Sequence, residues 1–137
     1  MSLTQQEFTT RPPHPAPGTP PVWIPTETNQ WYSIGPGIWE LHLNGERGSH
    51  NRSVLQWYEP GATSATDEVI THTYIEEVCF LEGGLEDISL GKAWGQGAYA
   101  FRLPGMRHGP YKADGERGCL MFVKLVPGEE GGSGSVG

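Results

Sequence analysis

Twenty glycines and twelve prolines are spread through 137 residues, so turn residues repeatedly interrupt the apolar segments. Glycine opens backbone conformations that other residues avoid, while proline fixes φ and removes a donor. A chain punctuated this way builds short strands and tight turns rather than long helices. Hydrophobic residues make up only 36%, but five tryptophans and five tyrosines add large buried areas. The length suits one domain with one modest core.

The chain divides into three parts. Residues 1–30 are polar and proline-rich, with the run Arg11-Pro12-Pro13-His14-Pro15-Ala16-Pro17-Gly18-Thr19-Pro20-Pro21. This reads as an extended N-terminal arm, with Trp23 and Ile24 placed to pin it to the domain. Residues 31–127 carry the strand-like segments. Residues 38–44 alternate, with Ile38, Glu40, His42 and Asn44 on one face and Trp39, Leu41 and Leu43 on the other. Further strands are expected at 53–58, 69–74, 77–82, 85–90, 92–94 and 97–103, the last alternating around Tyr99 and Phe101. Residues 119–126 form a near-continuous apolar run broken only by Lys124, the signature of a central strand. Residues 128–137 are Gly/Ser-rich and read as a flexible tail. No segment keeps helical periodicity over three turns. Eight or nine short strands predict a small all-β sandwich or barrel.

A net charge of −7 with only nine Lys and Arg argues against nucleic-acid binding, which rests on neutralising phosphates. No apolar run approaches the ~18–20 residues of a membrane span, and residues 1–11 lack the apolar core of an export signal. The expectation is a cytoplasmic protein. Cys79 and Cys119 lie in apolar runs without a Cys-x-x-Cys pattern, so two reduced buried thiols are expected.

Chemistry concentrates in two segments, 72–84 and 97–108. The first places His72 four residues before Glu76; the second sets turn residues directly before His108. Two imidazoles and a carboxylate can hold a divalent metal with positions left open. Such an ion activates water or polarises a substrate oxygen. Glu77 competes with Glu76. Tyr74, Trp94, Tyr99, Phe101 and Met106 are candidates to line a pocket, each equally readable as barrel core. Arg102 and Arg107 flank the second segment, where one could clamp a carboxylate and either could serve the surface. His14 and His50 sit in proline-rich and turn segments and are not expected to ligate. No Gly-x-Ser-x-Gly, P-loop or Gly-x-Gly-x-x-Gly pattern is present.

The two segments resemble the paired motifs of the cupin superfamily, which builds a jelly-roll barrel with a metal in its mouth. His72 matches the second His of the first motif, with three residues before Glu76 and six more before Gly83. Gly97, Pro104, Gly105 and His108 approximate the second motif. The closer resemblance, over residues 36–126, is to the cupin half of ChrR-like anti-sigma factors: Leu81-Glu82-Gly83, Gly97-Ala98-Tyr99, Pro104 to His108, and Gly118-Cys119-Leu120-Met121-Phe122-Val123-Lys124-Leu125.

The resemblance implies a single-domain cupin, often homodimeric, that holds Fe, Mn, Ni or Zn through His72, Glu76 and His108. It favours Glu76 over Glu77. The first His of the motif falls at Ile70, which ligates nothing. The site therefore shrinks to three ligands, recruits His42 or Tyr74, or has lost its metal. Three functions follow: a metal-dependent enzyme on a small organic molecule, such as a dioxygenase; a non-catalytic ligand-binding or sensing module; or a degenerate cupin. Residues 1–30 hold no Cys and one His, which speaks against direct sigma-factor binding.

Overall fold

A computed structural model describes residues 3–64 and 73–128. Residues 69–72 of the expected strand at 69–74 and the tail from 129 onward lie outside the described residues; Thr73 and Tyr74 form a bend that leads into the next strand rather than part of a strand of their own. Nine strands form two antiparallel sheets: β1 (Tyr32–Gly35), β2 (Ile38–Gly45), β3 (Arg52–Tyr58), β4 (Ile75–Gly83), β5 (Leu85–Asp87), β6 (Lys92–Trp94), β7 (Tyr99–Arg102), β8 (Tyr111–Ala113) and β9 (Cys119–Val126). The larger sheet runs β1-β2-β3-β9-β4-β7 and the smaller β6-β5-β8. None of the described residues is helical. In particular, no helix is long and apolar enough to cross a membrane. The architecture is an all-β jelly-roll sandwich.

β9 is the axis of the larger sheet, paired with β3 on one side and β4 on the other. Its side chains alternate. Cys119, Met121, Val123 and Leu125 are buried and join Val54 of β3 and Val78 of β4. Leu85 of β5 and Tyr111 and Ala113 of β8 close the same cluster from the smaller sheet. The core thus lies between two facing sheets. Burial pushes the Cys119 thiol up to about 12. Both cysteines are free thiols, Cys119 buried and Cys79 only partly so.

Two glycines explain why the Leu-Glu-Gly and Gly-Cys-Leu runs carry glycine. Gly83 and Gly118 have φ of +67° each, and a Cβ on Gly83 would sit 1.9 Å from the Gly118 carbonyl oxygen. A Cβ on Gly118 would meet the Tyr58 carbonyl at 2.3 Å. The strand ends cross too closely for a side chain.

The outer face of β2 and β3 is also buried. Trp31, Trp39, Leu41 and Trp57 form a second cluster with Val22 packed against it. Trp31 Nε1 donates to the Pro12 carbonyl, Ser33 N donates to the Val22 carbonyl, and the His14 ring stacks on Trp57 at 3.7 Å. The proline-rich segment therefore lies along the sheet. This cover buries the Trp39 and Leu41 face of β2; the opposite face, which carries Ile38 and Glu40, is buried as well, with Glu40 at 2% exposure.

Glu40 is not left uncompensated. It accepts hydrogen bonds from Tyr32 Oη and from Gln56 Nε2 (3.0 Å), and Arg52 Nε lies 3.3 Å away. Removing one partner of a buried ion pair strands the other charge. Glu40→Ala is expected to cost about 3–5 kcal/mol, read as a lower urea midpoint with an unchanged slope. A midpoint that hardly moves would mean the network contributes little.

Candidate functional site

The inward faces of β3, β4, β7 and β9 enclose one side of a cavity of about 460 Å³. Its apolar wall includes Val78, Phe80, Leu85, Trp94 and Met121. Ala98 and Ala100 also line it, and their small side chains leave room that larger residues would fill. The polar wall includes Gln56, Tyr58 and Tyr74, together with Glu76, Arg102, His108 and Tyr111.

Strand register sets the polar wall. Glu76 and Arg102 are Cα partners across β4 and β7, so both point to the same side of the sheet. Arg102 Nη1 lies 3.6 Å from Glu76 Oε1, and its Nη2 donates to Tyr111 Oη at 2.6 Å. Tyr111 Oη is also 2.9 Å from His108 Nδ1. His108 Nε2, on the other side of the ring, lies 4.0 Å from Glu76 Oε1. The four groups close a ring: carboxylate, guanidinium, phenol, imidazole. The guanidinium can only donate, so the Tyr111 oxygen accepts from it. The remaining Tyr111–His108 bond then chooses the tautomer. A phenol donating to Nδ1 leaves the proton on Nε2; Nδ1–H donating to the phenol leaves the Nε2 lone pair facing Glu76.

The phenols are held protonated. Burial pushes Tyr111 up to about 12, with Asp87 and Glu76 adding to it and Arg102 opposing. Burial and then the charge of Glu76 raise Tyr58 and Tyr74 as well. The Tyr74 ring lies 4.1 Å from that of His50, measured between centroids.

The loop that presents His108 is anchored by Asp87, which is 3% exposed at the end of β5. Its carboxylate accepts from Gly109 N (3.0 Å) and Leu90 N (3.1 Å), with Ser89 Oγ at 2.8 Å. Ser89 Oγ is also 3.0 Å from the Gly109 carbonyl, and Ile88 N donates to Pro110 O. Burial raises the Asp87 carboxyl, but the bonds from Ser89, Gly109 and Leu90 outweigh it and hold the group below its ordinary 3.8.

Of the three expected ligands, Glu76 and His108 come together in the cavity, while His72 and the Ile70 position lie outside the described residues. Among the described residues no three His, Cys, Asp or Glu side chains form a group able to hold a metal. Tyr74 lines the cavity. Glu77 does not share the Glu76 face; it pairs opposite Phe101 and receives a hydrogen bond from Tyr99 Oη on the outer side. Tyr99 and Phe101 are exposed with it, at 59% and 49%, although Tyr99 also contributes to the cavity lining, as expected. Met106 is exposed in the loop before His108, and Arg107 is exposed beside it. His42 lines a separate small pocket with Tyr32, Arg11 and Arg47, its Nε2 bonded to the Gly45 carbonyl at 2.8 Å.

Gln56, Tyr58, Tyr111 and Asp87 were not anticipated from sequence. The strand phase could have found Gln56 and Tyr58, because both share the parity of buried Val54. Tyr111 and Asp87 fall in three-residue strands, too short for alternation to carry information.

The profile of the ChrR cupin-like domain matches residues 19–129, and the chain belongs to that family. Among curated proteins none matches the sequence significantly. Solved structures share the fold. An RmlC-like cupin from Shewanella frigidimarina superposes with a TM-score of 0.55 at 23% identity, over 74% of this chain and 86% of that one. A chain of the Rhodobacter sphaeroides SigE complex with the anti-sigma ChrR gives 0.55 at 18% identity, over 70% of this chain and 48% of its own length. An acetylacetone dioxygenase from Acinetobacter johnsonii gives 0.51 at 15% identity, over 92% and 80%. Identities this low carry the fold alone.

Asp87→Asn is expected to cost about 1–3 kcal/mol near neutral pH, by weakening the anchor of the His108 loop. The folded carboxyl titrates below 3.8, so its contribution is complete above about pH 4 and fades as pH falls through the folded value. Urea unfolding of both proteins, at about pH 7 and again at about pH 3, checks this: the gap narrows in acid. A gap that persists unchanged would contradict the assignment.

Proposed function

We propose that the cavity is a divalent-metal site that binds and acts on a small organic molecule, with Glu76 and His108 as ligands and His72 as the third. One observation carries this reading: the Glu76 carboxylate and the His108 Nε2 face each other across 4.0 Å of the same cavity. An imidazole nitrogen and a carboxylate oxygen are donors suited to Fe(II), Mn(II), Ni(II) or Zn(II). Two bonds of about 2.1 Å can span the gap. Tyr111 behind Nδ1 supplies the second hydrogen bond that metal-bound imidazoles characteristically have, and it fixes the ring. Arg102 beside Glu76 works against a cation there, so affinity is lower than that of an all-anionic site. A bound ion supplies a Lewis acid with open positions for water, dioxygen or a substrate oxygen. The chain's own residues then orient the molecule: Tyr58, Tyr74 and Gln56 offer hydrogen bonds, and the apolar wall excludes water.

The ChrR cupin-like family match supports a second reading, in which the same cavity binds its ligand as a sensor without turnover. In both readings the molecule pairs as a homodimer. Exposed Tyr99 and Phe101 on the edge strand β7 support this, since an unpaired edge with apolar side chains favours association.

Metal analysis after loading with Fe(II), Mn(II), Ni(II) or Zn(II) and dialysis tests the proposal. Stoichiometric retention is expected in the wild type, with loss in Glu76→Ala and His108→Ala variants that still melt cooperatively. A wild type that retains no divalent ion under any loading condition is a cupin whose centre has been lost. Metal retention with ligand-dependent melting but no product would favour the sensor.

A further inference from the structure

Arg102 has a role in this cavity that the metal reading leaves open. It is the only cation among the described lining residues, and its side chain is 16% exposed. Its position is set by the β4–β7 pairing rather than by a loop. Of its five N–H donors, one serves Tyr111 at 2.6 Å, while Glu76 at 3.6 Å lies beyond hydrogen-bond range. The planar fork therefore retains donor capacity toward the cavity. The other polar lining groups named above, apart from Glu76, are phenols, an amide and an imidazole.

We propose that the cavity receives a small organic monoanion with a compact apolar body. Arg102 takes the charged head, and Phe80, Leu85, Trp94 and Met121 take the body. Guanidinium is the side chain best shaped for a planar carboxylate or enolate head. The volume of about 460 Å³ is toward the small end of the range of about 300–1,000 Å³ typical of small-ligand sites. Charge balance links this to the metal, and in that respect the inference rests on the function proposed above. Without an ion, Glu76 and Arg102 cancel. With a divalent ion on Glu76 the three charges sum to a positive excess, Arg102 is relieved of its carboxylate, and an anion becomes the complementary guest. Metal and anion thus promote each other's binding, as linkage requires.

Benzoate and its uncharged isostere benzamide are suitable probes, titrated calorimetrically into protein loaded with Mn(II) or Zn(II). Benzoate is expected to bind at least about tenfold more tightly than benzamide. Arg102→Gln, shown by metal analysis to keep its ion and by melting to stay folded, is expected to lose that preference. Equal binding of the two probes by loaded wild type overturns the proposal. So does a preference that survives in Arg102→Gln, because the ion alone would then be choosing the anion. Glu76→Gln provides an arm that needs no metal. Neutralising that carboxylate relieves Arg102, so the metal-free variant is expected to bind benzoate more tightly than metal-free wild type, with benzamide unchanged. If the wild type takes no metal, the metal reading falls and this arm alone decides: no gain for benzoate overturns the inference as well.

Discussion

The antiparallel pairing of β4 with β7 holds the site together. It makes Glu76 and Arg102 partners, and it forces Glu77, Phe101 and Tyr99 to the opposite side. A slip of one residue would exchange the two sets and place a phenylalanine where the guanidinium now stands. The register is secured on the other edge of β4 by β9, whose alternate side chains are locked into the core. The small sheet completes the arrangement. Tyr111 of β8 lies between Arg102 and His108, and Asp87 of β5 fixes the loop that brings His108 over Glu76.

Charged groups in a chain with so modest a core are costly unless paired. Two clusters meet that cost in different ways. Glu40 is held by Tyr32, Gln56 and Arg52 and is only 2% exposed. Glu76 is more exposed, and its ion-pair contacts with Arg102 and His108 are long. The first geometry is that of a structural network. The second is looser and sits beside a cavity, where Arg102 keeps donor capacity for binding something else. Gln56 connects the two, since it donates to Glu40 and also lines the cavity.

Much of the fold was legible because turn residues delimit it. The runs at 38–44, 53–58, 77–82 and 119–126 correspond to β2, β3, β4 and β9, and the apolar continuity of 119–126 reflects its central place in the sheet. The Leu-Glu-Gly and Gly-Cys-Leu runs could be recognised because backbone crowding at Gly83 and Gly118 admits only glycine. The phase of β7 was not legible. Two aromatics at Tyr99 and Phe101 suggest an inward face, yet Ala100 and Arg102 turn inward and the aromatics are exposed. Alternation alone cannot tell a core face from a cavity face, because a cavity is lined by small and polar residues. Glu40 was hidden for a related reason: it has the spacing of a solvent-facing strand residue, yet it lies on the inner face of the sheet beside Gln56 and Arg52. The two short strands β1 and β8 fall below the length at which alternation is visible, so Tyr32 and Tyr111 gave no signal.

The central claim is that Glu76 and His108 share one divalent ion. Crystals of the full chain soaked in Mn(II) and measured for anomalous scattering test it most directly. The account predicts a peak within bonding distance of both Glu76 Oε1 and His108 Nε2, inside the cavity lined by Arg102 and Tyr111. A cavity without a peak, or a peak confined to His14, His42 or His50, would contradict it.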